Sequence, residues 1–256
     1  MQVQFDLSGR NALVTGGANG LGRMIAEALL RAGAHVWITS RKDAESAAAE
    51  MSVLGPCQGL TANLSTPGAA VEVADAVKAR LDKLHVLVNN AGKTYGAHLD
   101  SFPDKAWSSV LAVNLQAPFT LVRELLPLLE AAGTPDDPAR ILNIGSIAGN
   151  SVLRLSAYSY TASKAAIHHL TRELAADLAR RNIAANVIVP GWFPTDMTAH
   201  IRSNPDQARA TLNEIPLGRF GKARDIGGVV VFLASPAAAY ITGAEIPVDG
   251  GMGGCR

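Results

Sequence analysis

The chain has 256 residues, 48% of them hydrophobic, with 23 Lys and Arg against 22 Asp and Glu. That length can bury a core and fits one α/β domain, while near-neutral charge argues against nucleic acid or an anionic membrane as main partner, because both select a basic surface. The two cysteines, Cys57 and Cys255, form no spaced framework and read as free thiols of a reducing compartment.

In chain order, the N-terminal "MQVQFDLSGRNALVTGG" lacks a charged stretch followed by a long apolar run, so no signal peptide is expected. "NALVTG" has the length and composition of a buried strand. "GLGRMIAEALLRAG" follows with helical spacing at Leu21, Ile25, Ala28 and Leu29. "AHVWITS" is a strand, "KDAESAAAEMSVLG" a helix and "CQGLTANL" a weaker strand. "PGAAVEVADAVKARL" is a helix with Pro67 in its first turn. "HVLVNNAG" is a strand running into a loop. A mostly helical stretch covers 104–131, with kinks expected at Pro118 and Pro127. "GTPDDPA" is a surface loop by its turn residues. "RILNIGS" and "IAANVIVPG" are strands on either side of the helix "AYSYTASKAAIHHLTRELAADLARR". The helix "ARDIGGVVVFLAS" and the strand "GAEIPVDGG" close the chain. About seven strands alternating with about six helices predict a parallel sheet covered on both faces. The expectation is a single α/β domain over 1–256 with a doubly wound, Rossmann-type sheet. Nowhere do ~18 apolar residues follow one another, so no membrane span is expected, and a cytoplasmic location is.

The first strand opens into "TGGANGLGR". Gly16, Gly20 and Gly22, with Asn19 and Leu21 between them, sit at a strand–loop–helix junction. Glycines let the backbone turn tightly and approach a pyrophosphate, and the helix N-terminus offers free N–H groups and a positive dipole end. The alternative is a glycine-rich turn without a ligand. The second strand bears on which dinucleotide binds. An acid about 20 residues further on would bond ribose hydroxyls and repel a 2′-phosphate. Ser40, Arg41 and Lys42 stand there instead. A guanidinium beside a hydroxyl suits a phosphate, so NADP(H) is expected over NAD(H). The alternative is two solvated cations opening a helix.

The segment "SAYSYTASK" holds two tyrosines and one lysine. Tyr160 and Lys164 are four apart and share a helix face, whereas Tyr158 has Ala162 at that offset. A phenol titrates near ~10, and an adjacent ammonium lowers that value toward the range of a general acid–base group. Ile167, Leu170, Leu174 and Leu178 mark the buried side of this helix. His168 and His169 are adjacent and point to different faces, so they cannot chelate one ion, and no metal site is expected.

With these residues in order, the chain resembles the short-chain dehydrogenase/reductase family over nearly its whole length. The motifs are "TGGANGLG", "NNAG" from Asn89 to Gly92, "VNL" around Asn114, "NIGS" ending at Ser146, "YTASK" and "PGWFPTDM". The resemblance implies Tyr160 as general acid in reduction and base in oxidation, with Lys164 tuning it and bonding the nicotinamide ribose. It implies Ser146 on the substrate oxygen and Asn114 holding a water that passes protons to Lys164. It further implies that Asn90, Ala91, Gly92, Asn63 and Leu64 meet the adenosine side of the cofactor. Pro190, Gly191, Phe193 and Thr195 would meet the carboxamide or phosphates. Asn19 stands where NADP-dependent members often carry a basic residue. From Ser146 to Tyr160 is fourteen residues, one more than the family's commonest spacing. That spacing resembles the branch containing the NADPH-dependent 3-oxoacyl reductase of rhamnolipid biosynthesis. The resemblance also implies a homotetramer.

The segment 192–219, which begins with Trp192, Phe193 and Met197, reads as a substrate lid or as ordinary helix packing. Tyr95, Leu153, Leu155, Trp192 and Met197 are expected to line an apolar substrate pocket. Arg154 is the only cation between Ser146 and Tyr160. The expected function is NADPH-dependent hydride transfer to an apolar small-molecule ketone, such as a 3-oxoacyl ester or thioester. An NAD-dependent polyol or sugar-alcohol dehydrogenase is a second reading, and a non-catalytic dinucleotide sensor a third.

Overall fold

The runs read as strands pair into one parallel sheet in the computed structural model, which describes residues 5–255. The first four residues, part of the N-terminal stretch read above for a signal peptide, and Arg256 lie outside the described residues. The strands are β1 (Asn11–Thr15), β2 (His35–Ser40), β3 (Cys57–Thr61), β4 (Val86–Asn89), β5 (Ala139–Ile144), β6 (Ile183–Pro190) and β7 (Glu245–Val248). Their order is β3-β2-β1-β4-β5-β6-β7. β1 lies between β2 and β4, with Leu13 opposite both Trp37 and Leu87. The winding therefore reverses at the β1–β4 boundary, where open α/β sheets hold their ligands.

Successive side chains of a strand go to opposite faces, so two cores form. Ala12, Val14, Val36, Ile38 and Val88 pack under α1 (Gly20–Arg31), α2 (Ala44–Met51) and α9 (Ala223–Ala234). Leu13, Trp37, Leu87 and Ile141 pack under α3 (Ala69–Lys78), α5 (Ala117–Ala132) and α6 (Tyr158–Leu178). Burial on both faces explains why the strands read as continuous apolar runs rather than alternating ones. Among the described residues no helix is long and apolar enough to cross a membrane.

Two local readings change. α3 begins at Ala69, so Pro67 precedes the helix instead of occupying its first turn. Gly68, with φ +86°, redirects the chain into it. The stretch 104–131 is divided, with α4 (Asp104–Leu111) passing through a π-helical turn at Ala112–Gln116 into α5. Pro118 then sits in the first turn of α5 and Pro127 inside it. The segment 192–219 carries two helices, α7 (Ala199–Arg202) and α8 (Pro205–Glu214). Asn204 caps α8 by accepting the N–H groups of Asp206 and Gln207.

Candidate active site

The loops after β1 and β4 are stitched together at the sheet's winding reversal. Thr15 Oγ1 accepts the N–H groups of Asn90 (2.9 Å) and Ala91 (3.0 Å), and Asn90 Nδ2 donates to the carbonyls of Thr15 (2.8 Å) and Gly16 (3.2 Å). Gly16 has φ +65°, and a Cβ there would stand 3.0 Å from Asn90 Nδ2. A Cβ on Gly22 would overlap the Gly16 carbonyl oxygen. The turn is therefore closed to side chains but open to a ligand's phosphates. Asn19 gives α1 no side-chain cap, and Arg23 N–H is the first to reach back, to the Asn19 carbonyl at 3.2 Å. The N–H groups of Gly20, Leu21 and Gly22 thus have no intrahelical acceptor and form the positive end of the helix. This cradle fits a pyrophosphate. Thr195 stands over it, since a Cβ on Gly20 would lie 3.3 Å from Thr195 Cγ2.

The adjoining edge of the crevice carries the second group of expected cofactor residues. Ser40 ends β2 opposite Thr61, and its carbonyl accepts Ala62 N–H at 2.8 Å. Arg41 and Lys42 are exposed, and no hydrogen bond or ion pair among the described residues engages either. The nearby Glu45 carboxylate is held instead by Thr61, at 2.7 Å from its hydroxyl and 3.3 Å from its N–H. Asn63 Oδ1 accepts from the Ser65 hydroxyl (2.7 Å) and N–H (3.2 Å), leaving its Nδ2 as a donor. Leu64 is buried in the α3 core, so only its backbone can face a ligand.

At the ends of β4 and β5, α6 presents Tyr160 and Lys164 on one face. Lys164 is buried, donates from Nζ to the Ile144 carbonyl at 2.6 Å, and lies 5.7 Å from the centre of the Tyr160 ring. Burial pushes the Lys164 ammonium down to about 8. Tyr160 is half-buried, and the Ser146 hydroxyl hydrogen-bonds it. Burial raises the phenol above its ordinary value, and the Ser146 bond opposes that rise. The direction is opposite to the one expected from the Tyr160–Lys164 spacing. The leading cause is burial of the phenol, which disfavours the phenolate. Tyr158 packs edge-on against Phe102 at 5.3 Å and belongs to an aromatic cluster.

Asn114 lies in the π turn, a distortion frequent at functional sites. Its Oδ1 accepts Lys93 N–H at 2.8 Å, and its Nδ2 donates to Lys93 O and Ser163 Oγ, both at 2.9 Å. The side chain is engaged in clamping the loop after Gly92, which leaves the Asn114 carbonyl rather than the side chain to meet a ligand. Pro118, four residues on, has no N–H to give that carbonyl. A Cβ on Gly92 would lie 3.8 Å from Asn114 Oδ1 and 3.9 Å from Lys164 Nζ.

Residues expected on the substrate side fall into two clusters. Leu153 and Trp192 pack with Ile147, Val189 and Ile215, and with Leu212 of α8. Tyr95 meets Phe102 edge-on at 5.6 Å, and its loop joins that of Leu155 through Ala97 N–H to Ser156 O at 3.0 Å. Met197 belongs to neither cluster. Tyr95, Leu155 and Met197 remain 39%, 37% and 44% exposed. The Ser146–Tyr160 connection contains two non-glycine residues in the left-handed region, Arg154 and Ser156, both at φ +49°. Pro190 ends β6, and Gly191 N–H bonds Val248 O at 3.1 Å. The Phe193 side chain is in the core, so its backbone alone is left for a ligand. Among the described residues no cluster of His, Cys, Asp and Glu could hold a metal ion.

A phosphate cradle at a Rossmann winding reversal, beside a tyrosine, a serine and a buried lysine, defines an oxidoreductase built for a nicotinamide dinucleotide. A family model described as enoyl-(acyl carrier protein) reductase matches residues 16–253. The chain is 44% identical over 255 residues to the rhamnolipids biosynthesis 3-oxoacyl-[acyl-carrier-protein] reductase of Pseudomonas aeruginosa, covering 98% of this chain and 99% of that protein. A solved Pseudomonas aeruginosa RhlG/NADP active-site complex superposes with a TM-score of 0.95 at 43% identity, covering 99% of this chain and 100% of that one. A structure described as a putative NAD(P)-dependent gluconate 5-dehydrogenase from Beutenbergia cavernae, with bound NADP, gives 0.91 at 37% identity over 98% of this chain and 99% of that one. The chain belongs to the short-chain dehydrogenase/reductase family. It is an NAD(P)-dependent oxidoreductase acting on carbonyl or hydroxyl groups.

Proposed function

We propose that the protein uses NADPH to reduce the ketone of an apolar 3-oxoacyl ester or thioester to the alcohol. The observation that carries this reading is the pairing of Tyr160 with the buried Lys164 on one face of α6, near Ser146, whose neighbour Ile147 belongs to an apolar cluster with Leu153 and Trp192. A bound nicotinamide supplies the hydride. The glycines 16, 20 and 22 and the N–H groups of Gly20 to Gly22 hold the pyrophosphate. Asn63, the Leu64 backbone and Asn90 to Gly92 hold the adenosine side. Pro190, Gly191, the Phe193 backbone and Thr195 enclose the nicotinamide side. As the carbonyl carbon is reduced, charge grows on its oxygen. Ser146 donates a hydrogen bond to that oxygen, and Tyr160 delivers its proton. Lys164 and the Asn114 carbonyl then return a proton to Tyr160 from water. The segment 192–219 acts as the lid, with Leu153, Leu155, Trp192, Met197 and Tyr95 against the acyl chain.

Ser40, Arg41 and Lys42 select NADPH, because a free guanidinium pairs with a 2′-phosphate in a planar fork. Titration followed by tryptophan fluorescence tests this. Arg41→Ala is expected to weaken NADPH binding about tenfold to a hundredfold, the worth of a charged hydrogen bond, and NADH binding by less than about threefold. Equal effects on both cofactors would remove Arg41 from the phosphate site.

A second reading, oxidation of a sugar acid or polyol, draws on the gluconate dehydrogenase neighbour. Such substrates require cations and hydroxyl partners, whereas Leu153, Leu155, Trp192 and Met197 are apolar and Arg154 is the only cation in the serine-to-tyrosine loop.

The working form is a cytoplasmic homotetramer. Supporting it is an apolar groove of about 470 Å³ between α4, α5 and the face of α6 opposite Tyr160, lined by Leu111, Leu115, Phe119 and Leu170. Sedimentation is expected to give four times the chain mass, and a monomer would refute the assembly.

A further inference from the structure

Tyr160, Lys164 and His168 follow one another at intervals of four on α6, so a third polar side chain shares the face of the reacting pair. His168 is 2% exposed. Its Nε2 accepts the Ser146 N–H at 3.3 Å. Its Nδ1 lies 2.9 Å from Asn150 Oδ1 and 3.4 Å from Glu245 Oε2. One imidazole therefore bonds both ends of the loop from Ser146 to Asn150. An Nε2 that accepts an N–H carries no proton, so the proton is on Nδ1 and is donated to Asn150. Asn150 Nδ2 in turn donates to Glu245 Oε2 at 2.9 Å, and Arg172 holds the other Glu245 oxygen. The loop can lie this close only because residue 145 is glycine, since a Cβ there would overlap His168 Nε2.

We propose that His168 is a positioning residue for Ser146: its neutral imidazole fixes the Ser146 main chain and so aims the hydroxyl at the reacting oxygen. The inference rests on the reading that Ser146 and Tyr160 reduce a carbonyl. Ser146 has extended backbone (φ −171°), and its Oγ accepts Ala148 N–H at 3.1 Å. The amide anchored by His168 and the oxygen by Ala148 fix the serine at two points beside Tyr160. Losing the first anchor lets the serine shift, and shifts of about 1 Å cost up to about a hundredfold in rate. The charged groups around His168 act in both directions. Lys164 and Arg172 on α6 oppose its protonation, and Glu245 on β7 favours it. Burial is the leading cause and holds the imidazole below its ordinary value, so it stays neutral at neutral pH. A second proton would set Nε2–H against the Ser146 N–H and break the anchor.

His168→Leu and His168→Gln test this, assayed with NADPH and a short 3-oxoacyl thioester beside the unmodified enzyme. Leu removes the acceptor, while Gln brings an amide oxygen near the Nε2 position and does not titrate. The expected result for Leu is a fall in kcat of about thirtyfold, with KM and NADPH affinity within about threefold. Gln is expected to recover most of the loss and to lack the acid-side decline of kcat that protonation of His168 is expected to cause in the unmodified enzyme. A Leu variant with unchanged kcat, or equal impairment of Leu and Gln, would overturn the positioning role. If Leu does not fold, Gln decides alone, and an acid-side decline identical to the unmodified enzyme's would overturn it. Failure of the unmodified enzyme to reduce any 3-oxoacyl compound would instead strike the functional reading and leave the His168–Ser146 geometry to be tested with another ketone.

Discussion

Replacing Tyr160 by phenylalanine is expected to lower kcat for carbonyl reduction at least about a thousandfold, within the range attributed to a positioned general acid, while NADPH affinity and melting temperature hardly move. The substitution deletes one oxygen. The ring stays, and with it the packing on α6 and the face over which the Lys164 ammonium stands 5.7 Å from the ring centre. What is lost is the proton that neutralises the developing alkoxide. Ser146 can donate a hydrogen bond to that oxygen, but its hydroxyl is far too weak an acid to protonate it. Burial raises the Tyr160 phenol above its ordinary value, so the protonated form is the resting form at neutral pH. That suits reduction, where the tyrosine starts as the acid. Oxidation needs the phenolate and should therefore speed up with rising pH in the unmodified enzyme. Equal turnover by the phenylalanine variant would exclude Tyr160 as the proton donor.

The sheet and the shared helix face of Tyr160 and Lys164 were legible because both depend on local pattern. β-branched runs of five to eight residues, such as "NALVT" and "IAANVIVP", could be buried on both faces only as central strands. The interval between Tyr160 and Lys164 needed only the helical period. Other features depended on contacts distant in sequence. The π turn at Ala112–Gln116 is held by Asn114 bonding the backbone of Lys93 and the hydroxyl of Ser163, and nothing in "VNL" declares those partners. The direction of the Tyr160 shift depended on how deeply the fold buries the phenol. Two features were legible and went unread. "NPDQARATLNE" opens with an asparagine cap and a proline at the first helical position, a helix start signal for α8. His168 extends the Tyr160–Lys164 interval by one more step, which marks it as facing the site. Met197 and Leu155, partly exposed on irregular segments, have no periodicity from which a partner could be read.

Lys164→Met is expected to abolish turnover and, at neutral pH, to raise the melting temperature. The two effects have one cause. Among the described residues the buried ammonium has one hydrogen-bond partner, the Ile144 carbonyl, and its folded-state value is pushed down to about 8 from an unfolded value of 10.5. Below pH 8 both folded and unfolded chains carry the proton, and the folded state bears the whole cost of the buried charge. That cost is about 3 kcal/mol from the size of the shift. Between pH 8 and 10.5 the unfolded chain binds more protons than the folded one, so the stability of the unmodified enzyme rises with pH through this window. Methionine has a similar length, fills the same space and carries no charge. Its advantage is therefore largest below pH 8, reduced by the lost bond to Ile144, and it should shrink steadily as pH climbs toward 10.5. Melting curves of both proteins at pH 7, 9 and 10 measure this directly. A methionine variant less stable at every pH would mean that the Ile144 bond outweighs the desolvation. A stability difference that does not change with pH would mean that Lys164 is not the group that titrates.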